Sequence, residues 1–158
     1  MSYLPSFYTK IVQVSAAQLL TLNTAPIQLV AGKPGQVLVL ESSYIRYNYN
    51  TTPFNPASGD KVAMFIGNHD TTFNAGLNQD SVGTPAVGFV DQTENTSTWM
   101  LSYTGNISGA GTLASAFRGS GLYLTQYSTN LSQFPSGTNW THGDGTLSVF
   151  VRYGFIEA

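Results

Sequence analysis

At 158 residues the chain has the size of one ordinary domain, long enough to bury a core without staples. Charged residues make up only 9%, six Lys and Arg against eight Asp and Glu for a formal net charge of −2, so there is no basic stripe to follow phosphates and nucleic acid is not an expected partner. The absence of cysteine excludes a disulfide framework and a thiolate metal site.

The N-terminus, MSYLPSFYTKIVQV, has neither the pattern of a secretion signal nor an apolar run near the ~18 residues of a membrane span, so a soluble chain with no membrane partner is expected. Tyr3, Leu4, Phe7 and Tyr8 beside Pro5 form an apolar and aromatic set. Residues 1–9 are therefore expected to act as an N-terminal docking arm, with membership of the first strand, 7–14, as the competing reading. Ser15-Ala-Ala-Gln18 is a capping box and predicts one short helix of about two turns, ending near Asn23 ahead of Pro26.

A strand over 26–31 follows, and the Pro34-Gly35 turn leads into a long strand over 36–49 rich in β-branched and aromatic residues. Further strands are predicted at 61–67, 86–91, 98–104 and 121–127. The clearest alternation is in 145–156, where Leu147, Val149, Val151, Tyr153 and Phe155 share one face. Phe150 and Ile156 make the opposite face mixed, as expected where it meets another subunit or a second sheet. Turn-forming residues fill 51–60, 74–85, 105–112 and 132–145. Many short strands, one helix and no repeat predict an all-β fold, a single antiparallel β-sandwich of jelly-roll type spanning 1–158.

Gly67-Asn68-His69-Asp70 matches a segment by which two-metal phosphoesterases are recognised. Such a site needs several carboxylates and imidazoles around two ions about 3.5–4 Å apart. Before Lys61 there is no His, and Glu41 and Asp60 are the only acids. The match therefore reads as a turn. His142-Gly-Asp144-Gly145 lacks a nucleophile in a constrained turn, and no calcium loop occurs, so the chain is expected to be neither an enzyme nor a holder of any cofactor or metal. The sequons at Asn50, Asn95, Asn106, Asn130 and Asn139 are read as unmodified. Phe54, Phe73, Phe134 and Trp140 lie in turn regions, where they can cap the sandwich, anchor a protein interface or make a sugar platform. The interface candidates are Tyr3, Leu4, Phe7, Tyr8, Phe134 and Trp140. So few charges suit a chain packed against others, and a closed ring of three is the expected self-association.

Three stretches together resemble a family of tailed-bacteriophage virion proteins: Ala16-Ala-Gln18-Leu-Leu-Thr-Leu-Asn23-Thr-Ala-Pro26-Ile-Gln-Leu-Val30 with the Lys33-Pro34-Gly35 turn after it; Val87-Gly-Phe89-Val-Asp91-Gln92-Thr93; and Gly121-Leu-Tyr-Leu124-Thr with Gly143-Asp144-Gly145-Thr-Leu147-Ser-Val149-Phe-Val151-Arg-Tyr153. The loops at 51–60 and 128–142 depart from that pattern. The resemblance implies a jelly-roll decoration or cement protein, often trimeric, made in the host cytoplasm and placed on the outer surface of the virion. Its implied partner is the major capsid protein. The alternative it leaves is a module of capsid or tail fibre that binds a host-surface glycan or receptor.

Overall fold

The computed structural model describes residues 6–57, 60–67, 89–100, 118–128 and 137–157. Within them seven strands and one helix follow in the order β1 (Tyr8–Val14), α1 (Ala16–Leu20), β2 (Ile27–Val30), β3 (Gln36–Asn48), β4 (Asp60–Gly67), β5 (Thr96–Met100), β6 (Gly121–Ser128) and β7 (Thr146–Glu157). The odd-numbered strands form a four-stranded sheet, β1-β7-β3-β5, and the even-numbered ones a three-stranded sheet, β2-β6-β4. Every pairing is antiparallel. Successive strands alternate between two facing sheets, which is jelly-roll wiring.

The alternation seen in the sequence sets which face is buried. Val14, Ile45, Tyr47, Leu147, Val149 and Val151 of the larger sheet face inward onto Leu29, Met64, Leu122 and Leu124 of the smaller one. All of these are at most 1% exposed. The Pro34-Gly35 turn is a type II turn: Gln36 N–H donates to Lys33 C=O at 3.1 Å, with Gly35 at φ +76°.

The capping box is present in full. Gln18 N–H donates to Ser15 Oγ at 3.3 Å, and Ser15 N–H donates to Gln18 Oε1 at 3.0 Å. The helix is shorter than predicted, however, ending at Leu20 with Thr21 as C-cap. Past Leu20 the chain continues as turns, with Leu22 N–H donating to Leu19 C=O and Thr24 N–H to Thr21 C=O. Thr21 Oγ1 also donates to the Ala17 and Gln18 carbonyls, the local competition that makes Thr a poor helix interior. This course seats Leu19 and Leu22, both 0% exposed, in the core.

Beyond the helix end and shifts of a single residue, three further differences from expectation stand out. Tyr8 and Thr9 lie in the β1–β7 ladder, opposite Tyr153 and Arg152, so these two residues of the expected arm belong to the sandwich. The described part of 86–91, residues 89–91, is a bend and not a strand. Phe89 and Val90 are both buried there, and Phe54 N–H donates to Val90 C=O, which ties the bend to another loop. β5 starts at Thr96, two residues before the predicted 98, because Thr96-Ser97-Thr98 carries no apolar alternation to announce it.

Candidate interaction surface

At one end of the sandwich the loops before β4 and β7 fold inward. Phe54 and Trp140 pack with ring centroids 5.5 Å apart, and Phe54 meets Tyr47 at 6.2 Å. Trp140 is 3% exposed, so this interface candidate is a core residue that closes the sandwich. Burial pushes the Tyr47 phenol up to about 12, with the nearby negative charge of Asp144 adding to it. Gly145 has no side chain because a Cβ there would lie 2.4 Å from the Tyr47 ring.

The His142-Gly-Asp144-Gly145 segment is a clamp. Asp144 accepts hydrogen bonds from Thr51 N–H (3.0 Å), Thr52 N–H (2.8 Å), Asn50 Nδ2 (3.0 Å) and the Thr51 hydroxyl. Those bonds, the Thr51 hydroxyl first, hold its carboxyl down at about 2. The backbone N–H of His142 donates to Asn55 Oδ1 at 3.4 Å, and its ring Nδ1 lies 3.4 Å from the Thr141 hydroxyl. Among the described residues no group of three or more His, Asp and Glu could hold a metal ion. His69 lies outside those residues, as do Asn68 and Asp70.

Of the remaining interface candidates, Phe7 lies over Gly154 and is 37% exposed, and Tyr8 is exposed at the start of β1 with its ring 6.0 Å from Tyr153. Tyr3, Leu4 and Phe134 lie outside the described residues.

Among the described residues the largest concentration of exposed apolar groups is on the outer face of the four-stranded sheet. Register places Ile11 opposite Phe150, Phe150 opposite Tyr44, and Tyr44 opposite Trp99. One unbroken row therefore crosses all four strands. Tyr44 meets Trp99 at 5.1 Å with the rings inclined at 60°, and meets Phe150 at 5.7 Å. Edge-to-face contacts of this kind hold the rings in place without covering them. Trp99 is still 68% exposed and Ile11 55%. Fully burying one such side chain contributes roughly 1.5–3 kcal/mol, which is unused while the face stands open.

Polar rows flank the aromatic one. On one side Gln13, Ser148, Arg46 and Ser97 stand in register, with Ser148 Oγ donating to Gln13 Oε1 at 2.9 Å and accepting from Asn48 Nδ2 at 3.1 Å. On the other stand Thr9, Arg152 and Ser42. The register shifts between Leu40 and Ser42, leaving Glu41 as the extra residue of a β-bulge. The bulge brings Glu41 beside Arg152, and the two form an ion pair. Between this row and the aromatic one runs an open groove of about 530 Å³, lined by Thr9, Ser42, Tyr44, Trp99, Phe150 and Arg152.

The sequence points to this surface through Phe150 and Ile156, the apolar residues on the otherwise polar face of β7. Ile11, Tyr44 and Trp99 carry no such signal. Tyr44 does alternate with Ile45 within SSYIRY, but the row exists only once four strands are in register.

No protein-family model matches the chain, and no curated protein matches it either.

Proposed function

We propose that the chain is a non-enzymatic decoration protein of a tailed-phage capsid, which docks on the major capsid protein and reinforces the head through contact area repeated over many copies. The observation that carries this reading is the outer face of the four-stranded sheet, where Ile11, Phe150, Tyr44 and Trp99 form a continuous apolar row on a chain with only 9% charged residues. Apolar patches of this kind mark contact surfaces. The resemblance to virion proteins supports the same reading, because its first and last stretches follow the frame of the fold: Ala16–Val30 spans α1 and β2, 121–125 begins β6, and 143–153 is the turn into β7 and most of that strand, while the described part of 87–93 is a bend.

The test adds purified protein to phage heads made without it. Saturable co-sedimentation, with a rise in the temperature at which the heads rupture, is the expected result. Heads that take up no protein at micromolar concentration overturn the proposal.

A glycan-binding module is the second reading, favoured by the groove beside Trp99. Its volume of about 530 Å³ and its rings next to Arg152, Ser42 and Thr9 match the make-up of a small-ligand site, largely apolar with a few polar groups. Trp99 is exposed and Trp140 buried, so titration with neutral oligosaccharides reports on this groove through tryptophan fluorescence. A saturable change that is absent in Trp99→Ala favours the glycan.

A further inference from the structure

We infer that the outer face of the four-stranded sheet is the contact between two copies of this chain, packed face to face about a two-fold axis that runs along the strands between β7 and β3. This inference rests on the reading of the chain as a protein that works by surface contact; it assigns the apolar face to a second copy, so that a capsid would be met by the surfaces the pair leaves open.

The strand order decides the symmetry. In β1-β7-β3-β5 the midline falls between β7 and β3. A two-fold axis along that midline sets β7 of one copy over β3 of the other, and β1 over β5. In the aromatic row Phe150 then meets Tyr44 of the second copy, and Ile11 meets Trp99 of the second copy. The smallest member of the row faces the largest, so the relief of the two faces is complementary.

Charge follows the same operation. Arg152 stands on β7 and Glu41 on β3 in the row next to the aromatics. The axis brings Arg152 of each copy over Glu41 of the other, so the ion pair within one chain becomes a four-charge alternating cluster across two. On the opposite side Arg46 faces Ser148 of the second copy, and no like charges among these described residues are opposed. Both contacts lie close to the axis, where the roughly 30° angle between packed sheets displaces partners least. A surface that is self-complementary under one two-fold is the requirement for an isologous dimer.

Size is adequate as well. Four strands about 4.8 Å apart and three outward-facing rows about 6.8 Å apart give a flat footprint of roughly 400 Å². Side-chain relief raises this toward the roughly 800 Å² per partner of a standard interface. Apolar residues at the centre and polar rows at the edge are the usual anatomy of such contacts. A two-fold pair is an alternative to the ring of three expected from the sequence.

Sedimentation equilibrium of the purified chain tests this, with charge variants that read out the symmetry. The native chain is expected at twice the 17.0 kDa chain mass in the micromolar range. Trp99→Ala is expected to weaken association at least tenfold while leaving near-ultraviolet circular dichroism from the buried aromatics intact. Glu41→Arg alone and Arg152→Glu alone each oppose like charges across the axis, so each is expected to be monomeric. An equimolar mixture of the two restores opposite charges at both crossings and is expected to form heterodimers, which a folding defect in either variant could not do. A native chain that stays monomeric at 100-fold higher concentration overturns the inference, and so does a trimer or a dimer insensitive to these substitutions. A sugar-dependent fluorescence change at Trp99 in a monomeric protein overturns it too, assigning the face to a glycan. A monomer that still decorates heads sinks the two-fold pair and leaves the decoration reading standing, whereas a dimer that ignores heads does the reverse.

Discussion

Asp144 shows how one acid in a turn can organise a loop that carries no regular structure. Its carboxylate gathers the Thr51 and Thr52 amides, the Thr51 hydroxyl and the Asn50 side chain, which fixes residues 50–52 beside the entrance to β7. The folded carboxyl ionises at about 2 and the free one at 3.8. A lowered value means that this contribution is complete above about pH 4 and is lost as pH falls toward 2. Asp144→Asn is therefore expected to melt a few degrees below the native protein at pH 7, with the gap closing between pH 4 and pH 2 in a calorimetric series. A gap that stays constant over that range would mean that the charge is not what holds the loop. The sequence identified Gly143-Asp144-Gly145 as a turn because glycine and aspartate have local meaning there. It did not place Trp140, three residues before Gly143. That ring sits in a polar stretch, TNWTHGDG, and its burial comes from Phe54, a residue distant in sequence, so no local signal could report it.

The element scale separates local from tertiary contributions most clearly in α1. Five residues cannot sustain a helix in water, because the costly nucleus is never repaid by propagation. Its capping box holds two orphan donors, and its core anchors, Leu19 and the following Leu22, hold it against the sheets. Replacing the cap, Ser15→Ala, is expected to cost about 1 kcal/mol in urea unfolding. Leu19→Ala leaves a cavity in a site that is 0% exposed and is expected to cost about 2–5 kcal/mol. If the two costs came out equal, the helix would be held by its cap and not by its packing. The same division explains what could be read in advance. β3 is legible because β-branched and aromatic residues dominate it after a Pro-Gly turn, β7 because apolar residues alternate along it, and α1 because its cap is a sequence motif. β5 was misplaced by two residues, since Thr and Ser on both faces erase the alternation. Phe89-Val90 looked like a strand because consecutive apolar residues do not reveal which fold buries them, and here they line a bend. The outer aromatic row was the least legible feature, because it is a property of register among four strands and not of any one of them.

Across the whole molecule, the order of the strands makes the C-terminal one indispensable. β7 is the last strand in the chain but lies inside its sheet, with β1 on one side from Tyr8–Tyr153 to Val14–Leu147 and β3 on the other from Gln36–Glu157 to Asn48–Thr146. Its inward residues Leu147, Val149 and Val151 are at most 1% exposed and sit in the middle of the core. Among the described residues neither β1 nor β3 has another partner that could close this gap. Without β7, β1 has no neighbour in its sheet, and β3 keeps only the short β5. Pairings of this kind join residues far apart, such as Asn48 with Thr146, 98 positions away, and Gln13 with Ser148, 135 away. Loop closure of that length precedes any gain from the ladder, so refolding is expected on the millisecond-to-second scale of β-sandwiches. A chain truncated after Asp144 is accordingly expected to lack cooperative unfolding and near-ultraviolet dichroism and to aggregate through the edges of β1 and β3. Supplying residues 145–158 as a separate peptide should restore both signals, because the missing strand only has to fill a slot with an edge on each side. A truncated chain that keeps a cooperative transition by itself would show that β1 and β3 pair directly, and that the observed strand order is not the one on which the stability of the sandwich depends.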